Sequence, residues 1–231
     1  SVVVNSNFAF SFFSTPKVAQ SVRAAALASS ALDFCQLVKS GEKSSYWNDK
    51  LFGTTRVPLK TADSWVFAPR SQHVVIASRG SFFVVSEAQA RSSATYEAVM
   101  ALPEEKQAQI GALTGWHRDQ WAETRVRLVQ LGNEPLLRLI ETALFVVVLD
   151  DSSPRNNVER FEVAFHGHGS ANRWYDKSFQ VIVSRNGVAG LSGEHSPMDG
   201  GPVSQMGDWI SDRERHYLED PVSAAVPGDL E

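Results

Sequence analysis

The chain has 231 residues, of which 43% are hydrophobic, and a formal net charge of −4. Its length is sufficient to bury a sizeable core, and its mixed charges give no electrostatic support for binding nucleic acid or a membrane surface. The single cysteine, Cys35, excludes an intramolecular disulfide framework and fits a reducing, intracellular compartment. No apolar stretch is long enough to cross a bilayer, since that takes about 18 residues or more.

The two ends of the chain carry signals of their own. The sequence starts at Ser1 and is apolar from Val2 to Val4, a pattern typical of a β-strand that begins before the first residue given. No charged segment or cleavage site precedes it, so there is no readable targeting signal. Residues 212–231 are polar and dotted with Pro and Gly, which predicts a linker or a frayed tail. We therefore expect the chain to be part of a longer protein.

The first half of the chain mixes helical and strand patterns. Apolar residues at helical spacing predict an amphipathic helix over Ser21–Lys39, followed by a Gly/Ser/Pro loop over Ser40–Lys60. Two β-rich runs, His73–Ser78 and Ser81–Ser86, flank Arg79-Gly80 and predict a hairpin. Further helices are predicted at three places: one that opens at Pro103, one over Asp119–Gln130, and one from Pro135 towards Ala143.

The second half of the chain supplies the strongest strand signals. Leu144–Leu149 is a continuous apolar run of strand length, which predicts a central strand covered on both faces. Phe179–Ser184 and Val188–Ser192 flank Asn186-Gly187, the dipeptide most typical of a tight hairpin. The predicted fold class is α/β (α+β), with a mixed β-sheet flanked by helices.

The segment after that hairpin carries the candidate chemistry. His195 follows the second strand, and Asp199 comes four residues later across a turn that contains Pro197 and Gly200. Histidine is the side chain best suited to moving a proton near neutral pH. A carboxylate that bonds one ring nitrogen fixes the tautomer and leaves the other nitrogen free to act as a base. His195 and Asp199 are therefore the candidate catalytic residues.

Several motifs, taken in order, resemble the choline/carnitine O-acyltransferase family. The longest is NRWYDKSF at 172–179, which continues as FQVIVSRNGVAGLSGEHSPMDG to residue 200. Shorter matches precede it: VNSN at 4–7, LFGTTRVP at 51–58, LT with RD and WA between 113 and 122, FVVVLD at 145–150, and His166-Gly167 as a variant of a glycine-rich H-G-G-G. The resemblance extends over nearly the whole chain.

This resemblance implies a fold, a reaction and roles for two residues. The fold is that of the CoA-dependent, chloramphenicol acetyltransferase-like acyltransferases, and residues 1–211 correspond to the N-terminal half of the domain. The reaction is reversible transfer of an acyl group between coenzyme A and the hydroxyl of carnitine or choline, with no acyl-enzyme and no permanently bound cofactor. His195 matches the general base, and Asp199 matches the acid that orients it.

The resemblance also implies that half of the machinery is missing. The family's second half supplies the CoA site, an oxyanion-stabilising Ser-Thr-Ser segment and most of the carnitine or choline pocket, and none of these follows Gly200. The chain on its own is therefore expected to be nearly inert, and the missing half is its expected partner. The compartment implied is mitochondrial or peroxisomal. The alternative is a truncated, catalytically inert binding protein of the same fold.

Other polar residues near the motifs have structural interpretations. Glu194 points away from His195 if the strand continues, and Arg173, Asp176 and Lys177 are predicted to form a buried polar network. The pair His166 and His168 resembles a metal site only weakly, because zinc needs three or four ligands, and no metal is predicted. We expect Trp174 and Tyr175 to lie in the core or in a pocket wall. Cys35 is predicted to be a small core residue.

Overall fold

The buried apolar residues of the central strands belong to two hydrophobic clusters. The computed structural model of the chain describes residues 7–12, 18–103, 109–167 and 169–219. The strands are β1 (Asn7–Ser11), β2 (Thr54–Val57), β3 (Ser64–Phe67), β4 (His73–Ser78), β5 (Ser81–Ser86), β6 (Val146–Asp150), β7 (Phe179–Ser184) and β8 (Ala189–Glu194). The helices are α1 (Gln20–Ser40), α2 (Glu87–Ala90), α3 (Ser93–Ala101), α4 (Ile110–Leu113), α5 (Arg118–Leu128), α6 (Glu134–Thr142), α7 (Asn157–Phe165) and α8 (Gly200–Glu219).

Six strands form one mixed sheet in the order β1-β8-β7-β6-β4-β5. Strand β6 pairs in parallel with β4 and β7, and the other neighbours are antiparallel. Strands β2 and β3 form a separate two-stranded sheet. The predicted class, a mixed sheet flanked by helices, is confirmed.

The apolar run of β6 is buried on both faces, as its composition predicts. Val147 and Leu149 pack into a large core that includes α1 and α8, while Val146 and Val148 pack on the opposite face with Val163 of α7. Because successive strand residues point to opposite faces, a strand between two helical layers must be apolar throughout.

Helix α1 lies where it was predicted, but it is not amphipathic. Fifteen of its 21 residues are buried, since the sheet covers one side and α8 and α3 pack on others. Its alanines and serines are small enough to let these neighbours approach closely, and Cys35 lies in this core as predicted. Burial raises the pKa of the Cys35 thiol to about 11.

Several predicted boundaries change in the structure. The predicted loop over Ser40–Lys60 contains β2, and α7 lies in a segment for which no helix was predicted. Residues 104–108, where the helix predicted to open at Pro103 would begin, and the strand at Val2–Val4 lie outside the described residues.

The predicted domain boundary at residue 211 falls inside α8, which continues to Glu219. The first eight residues of the expected tail are thus helical. Glu214 is buried there and pairs with Arg23 of α1 at 2.6 Å, and this contact holds the end of α8 on the core. Residues 220–231 lie outside the described residues. Within the described ranges, no helix is both long and apolar enough to cross a membrane.

Candidate active site

The candidate base, His195, lies in the turn that joins β8 to α8. Strand β8 is held between β1 and β7 and ends at Glu194, so the sheet fixes the point from which His195 projects. The His195 ring is exposed and meets the ring of Phe8 edge to face, with 5.8 Å between the ring centroids. A Cβ atom added to Gly200 would lie 4.0 Å from His195 Nε2, so the imidazole lies beside the first residue of α8.

Asp199 occupies the residue before α8 and is also exposed. Its Oδ1 accepts a hydrogen bond of 2.7 Å from the Gly200 N–H. Across the described residues, no hydrogen bond or ion pair joins Asp199 to His195 in this conformation. The carboxylate therefore meets the start of the helix here, and its orienting role stays a prediction.

Glu194 is completely buried and holds the chain on both sides of His195. Its Oε1 accepts a hydrogen bond from Arg56 Nη1 at 3.0 Å. Its Oε2 accepts one bond of 2.9 Å from the Ser196 N–H and another of 2.7 Å from the Ser196 hydroxyl. The predicted structural character of Glu194 agrees with these contacts, which we call the Glu194 clamp (Arg56, Glu194 and Ser196).

The Glu194 clamp continues into a partly buried chain of alternating charges. Arg56 also pairs with Asp63, and Asp63 accepts a bond from Arg118 at 3.1 Å. Arg118 then pairs with Asp176 at 2.5 Å. Burial raises the pKa of Asp176 to about 6, although the Arg118 guanidinium and a hydrogen bond from Trp121 oppose the rise. Three of the family-like motifs, at 51–58, 113–122 and 172–179, therefore meet in one polar network.

The main chain of residues 176–178 links the small sheet to the end of β8. The Arg56 N–H donates to the Asp176 carbonyl at 2.8 Å, and the Ser178 N–H donates to the Thr54 carbonyl at 3.1 Å. On the other side, the Glu194 N–H donates to the Ser178 carbonyl at 3.1 Å. The segment before β7 thus acts as a strand-like bridge between β2 and the turn that carries His195.

Lys177 lies within this bridge and is fully buried. Its ammonium donates to Thr55 Oγ1 and to the Glu141 carbonyl at 3.0 Å each, and to the Ile140 carbonyl at 3.3 Å. Burial lowers the pKa of Lys177 to about 7, and the nearby Glu141 carboxylate opposes part of that fall.

Arg173 is buried at a different place from Asp176 and Lys177. Its guanidinium pairs with Asp150 at the end of β6 at 2.8 Å. The predicted buried polar network is therefore present, but it consists of separate clusters. Trp174 and Tyr175 are buried, as predicted.

The histidine pair at 166 and 168 gives no metal site in the part of the chain that the structure describes. His166 is exposed at the end of α7, and His168 lies outside the described residues. No group of three or more His, Cys, Asp or Glu side chains that could hold a metal ion occurs among the described residues.

Sequence reasoning assigned no role to Arg56 or Asp63. The only charged residue of the LFGTTRVP motif was the available signal, since a charge that is largely removed from water needs a partner. The partner Glu194 is 138 residues away along the chain, so the pairing itself could not be inferred from spacing.

Comparisons with known proteins show the family of the chain. The profile of the family described as Choline/Carnitine o-acyltransferase matches residues 1–229. Mouse carnitine O-palmitoyltransferase 2, mitochondrial, is 34% identical over 163 residues, which are 65% of this chain and 24% of that protein. Rat carnitine O-palmitoyltransferase 1, muscle isoform, is 30% identical over 191 residues, which are 75% of this chain and 25% of that protein.

A structural comparison gives a further finding. A chloramphenicol acetyltransferase covers 92% of this chain with 10% identity and a TM-score of 0.37.

The chain belongs to the choline/carnitine O-acyltransferase family, as the resemblance of its motifs predicts. It spans about a quarter of the length of the carnitine O-palmitoyltransferases it matches.

Proposed function

We propose that this chain supplies the histidine-bearing part of an enzyme that moves an acyl group between coenzyme A and the hydroxyl of carnitine, with choline as the alternative acceptor. The observation that supports this proposal is the family match over residues 1–229 together with an exposed His195 at the exit of β8. The relatives' names, carnitine O-palmitoyltransferase, favour carnitine and a long acyl chain.

The chemistry requires a base at the position of His195. An alcohol is a weak nucleophile at neutral pH, so its proton must leave as its oxygen attacks the thioester carbonyl. The neutral His195 ring accepts that proton, a C–O bond forms, and the C–S bond of the acyl-CoA breaks. The imidazolium then returns the proton to the departing CoA sulfur. No protein residue is acylated, because the acceptor attacks the thioester directly.

Asp199 is proposed to orient His195 and to stabilise the imidazolium during the transfer. In the structure its carboxylate bonds the Gly200 N–H at the start of α8. A side-chain rotation towards the ring would exchange that bond for one to the imidazolium. Charge-assisted hydrogen bonds are roughly twice as strong as neutral ones, so protonation of His195 would favour the exchange.

Other parts of the catalytic machinery are proposed to lie outside this stretch. The resemblance assigns the CoA site, the acceptor pocket and the oxyanion donors to the family's second half. Loss of one oxyanion donor alone costs about 10²–10³-fold in rate. We therefore expect the 231 residues alone to show no meaningful acyl transfer. Mitochondria are the proposed compartment, because the mouse relative is named as a mitochondrial protein.

The test is His195→Ala in the full-length native protein, with release of the CoA thiol followed in the presence of carnitine and of choline. General-base catalysis contributes about 10²–10⁴-fold, so a loss of at least 100-fold in the preferred reaction is expected. His216→Ala, which removes an exposed histidine from the last turns of α8, is the matched control and should keep nearly full activity. A loss of less than tenfold in His195→Ala would refute the assignment.

A further inference from the structure

Glu194, the residue before the candidate base, has a carboxylate that accepts three hydrogen bonds. Glu194 is fully buried, yet it bonds Arg56 of β2 and both the N–H and the hydroxyl of Ser196. The chain enters the His195 position at Glu194 and leaves it at Ser196. One carboxylate therefore ties together the two residues that determine where the His195 main chain lies.

Arg56, the partner of the Glu194 carboxylate, is itself held by contacts outside the turn. Arg56 belongs to the two-stranded sheet, and its own N–H is bonded to the Asp176 carbonyl at 2.8 Å. Its guanidinium also pairs with Asp63, which bonds Arg118. The carboxylate of Glu194 is thus held in place from a second sheet, whereas the His195 ring is exposed and touches Phe8.

We propose that Glu194, with Arg56 as its partner, is the positioning residue for His195. The proposal rests on the proposed function of His195 as the base. A base must lie within hydrogen-bond reach of the proton it removes, and an error of about 1 Å in such a position can cost about 100-fold in rate. The Glu194 clamp fixes the main chain on both sides of His195, and thereby fixes the origin and direction of its side chain.

Glutamine cannot replace Glu194 in this arrangement. An amide has one acceptor and one donor group, so it can accept from Arg56 or from Ser196 but must present N–H groups to the other. Glu194→Gln therefore breaks one side of the Glu194 clamp while it keeps the size of the side chain. Glu214→Gln is the matched control, because Glu214 is also buried and paired with an arginine but lies far along α8 from His195.

The first experiment needs no activity. In the 231-residue chain, NMR follows hydrogen exchange of the Ser196 amide and relaxation of the His195 ring carbons. We expect Glu194→Gln to speed exchange at Ser196 by about tenfold or more and to increase ring motion, because a native hydrogen bond of the turn is lost. Glu214→Gln should leave both signals unchanged. Unchanged signals in a folded Glu194→Gln chain would overturn the proposal, whatever the fate of the proposed function.

The second experiment measures turnover in the full-length protein. We expect Glu194→Gln to lower kcat by about 10–100-fold with KM changed less than about twofold, because only the placement of the base is altered. Glu214→Gln should lower the melting temperature but leave kcat within about twofold. If both glutamine variants lose stability and neither loses kcat, Glu194 is only structural and the proposal fails.

A milder pair of variants covers the case in which Glu194→Gln does not fold. Ser196→Ala removes one of the two bonds to Glu194 Oε2 at an exposed position, whereas Ser196→Thr keeps the hydroxyl. We expect Ser196→Ala to lower kcat by about 3–10-fold and Ser196→Thr to restore most of it. Equal kcat in Ser196→Ala and the wild type would overturn the proposal. Full activity of His195→Ala would instead refute the proposed function and leave the NMR result to decide the positioning role.

Discussion

The buried lysine of the bridge segment predicts an unusual dependence of stability on pH. Lys177 is fully buried, and its ammonium donates to Thr55 and to two main-chain carbonyls. Burial lowers the pKa of Lys177 from 10.5 to about 7. In the unfolded chain the same side chain regains its ordinary pKa. Between those two values the unfolded chain binds one proton more than the folded chain, so stability rises with pH.

The magnitude follows from the two pKa values. Raising the pH from 7 to 9 should increase the contribution of Lys177 to the free energy of unfolding by about 2 kcal/mol. Lys177→Met keeps the length of the side chain and cannot titrate. The free energy of unfolding of the wild type minus that of Lys177→Met should therefore rise by about 2 kcal/mol from pH 7 to pH 9, whichever chain is the more stable at pH 7.

Urea unfolding of both chains at pH 7, 8 and 9, followed by tryptophan fluorescence, measures this difference. Lys60→Met, at an exposed loop position, is the control and should shift by less than about 0.5 kcal/mol across the same range. If the difference between the wild type and Lys177→Met is constant from pH 7 to 9, Lys177 keeps an ordinary pKa. That result would refute the predicted effect of burial on the pKa of Lys177.

Three further predictions concern the packing around the sheet. Gly111→Ala should lower the free energy of unfolding by at least about 1–3 kcal/mol, because an added Cβ would collide with the Ala171 carbonyl oxygen; an unchanged urea midpoint would contradict this. Arg23→Met should cost about 3–5 kcal/mol because it leaves Glu214 buried and unpaired, and the double variant with Glu214→Leu should regain most of the loss. Cys35 should react with a thiol reagent at pH 8 only on unfolding, since it is buried and its pKa is raised to about 11; labelling at the rate of a free thiol in the native chain would contradict this.

Elements with strong local signals were predicted closely. The hairpin of β4 and β5 has the predicted bounds, and Arg79 and Gly80 both have positive φ angles of 48° and 85°, as a tight turn between twisted strands requires. Asn186-Gly187 likewise lies between β7 and β8. These elements depend on residues that are adjacent in sequence, so the sequence is sufficient to predict them.

Elements whose stability comes from distant residues were missed. Strand β2 has only four residues, and the segment 176–178, more than 100 positions later, supplies its second row of hydrogen bonds. Helix α7 was not predicted, although five of its nine residues are apolar. Its start is nevertheless marked by Asn156, whose side chain accepts a bond from the Glu159 N–H, so a capping signal was present.

The candidate site shows the same division. His195 and Asp199 could be proposed as candidates from the sequence because the turn that carries them is continuous in the chain, and their catalytic roles stay predictions. The Glu194 clamp joins β2 to the end of β8, and a single sequence contains no signal for that pairing. Burial of Glu194 could be anticipated from its strand position, but its partner could not.

The exposure of His195 has a consequence for what the base would activate. Water reaches an uncovered imidazole as readily as an alcohol does, and it can attack a thioester in the same way. A bound acyl-CoA beside an open His195 would therefore be hydrolysed, and the acyl group would be lost as a free acid. Closing an active site excludes that side reaction. Under the proposed function, whatever covers the exposed ring of His195 would decide whether this turn serves a transferase or a thioesterase.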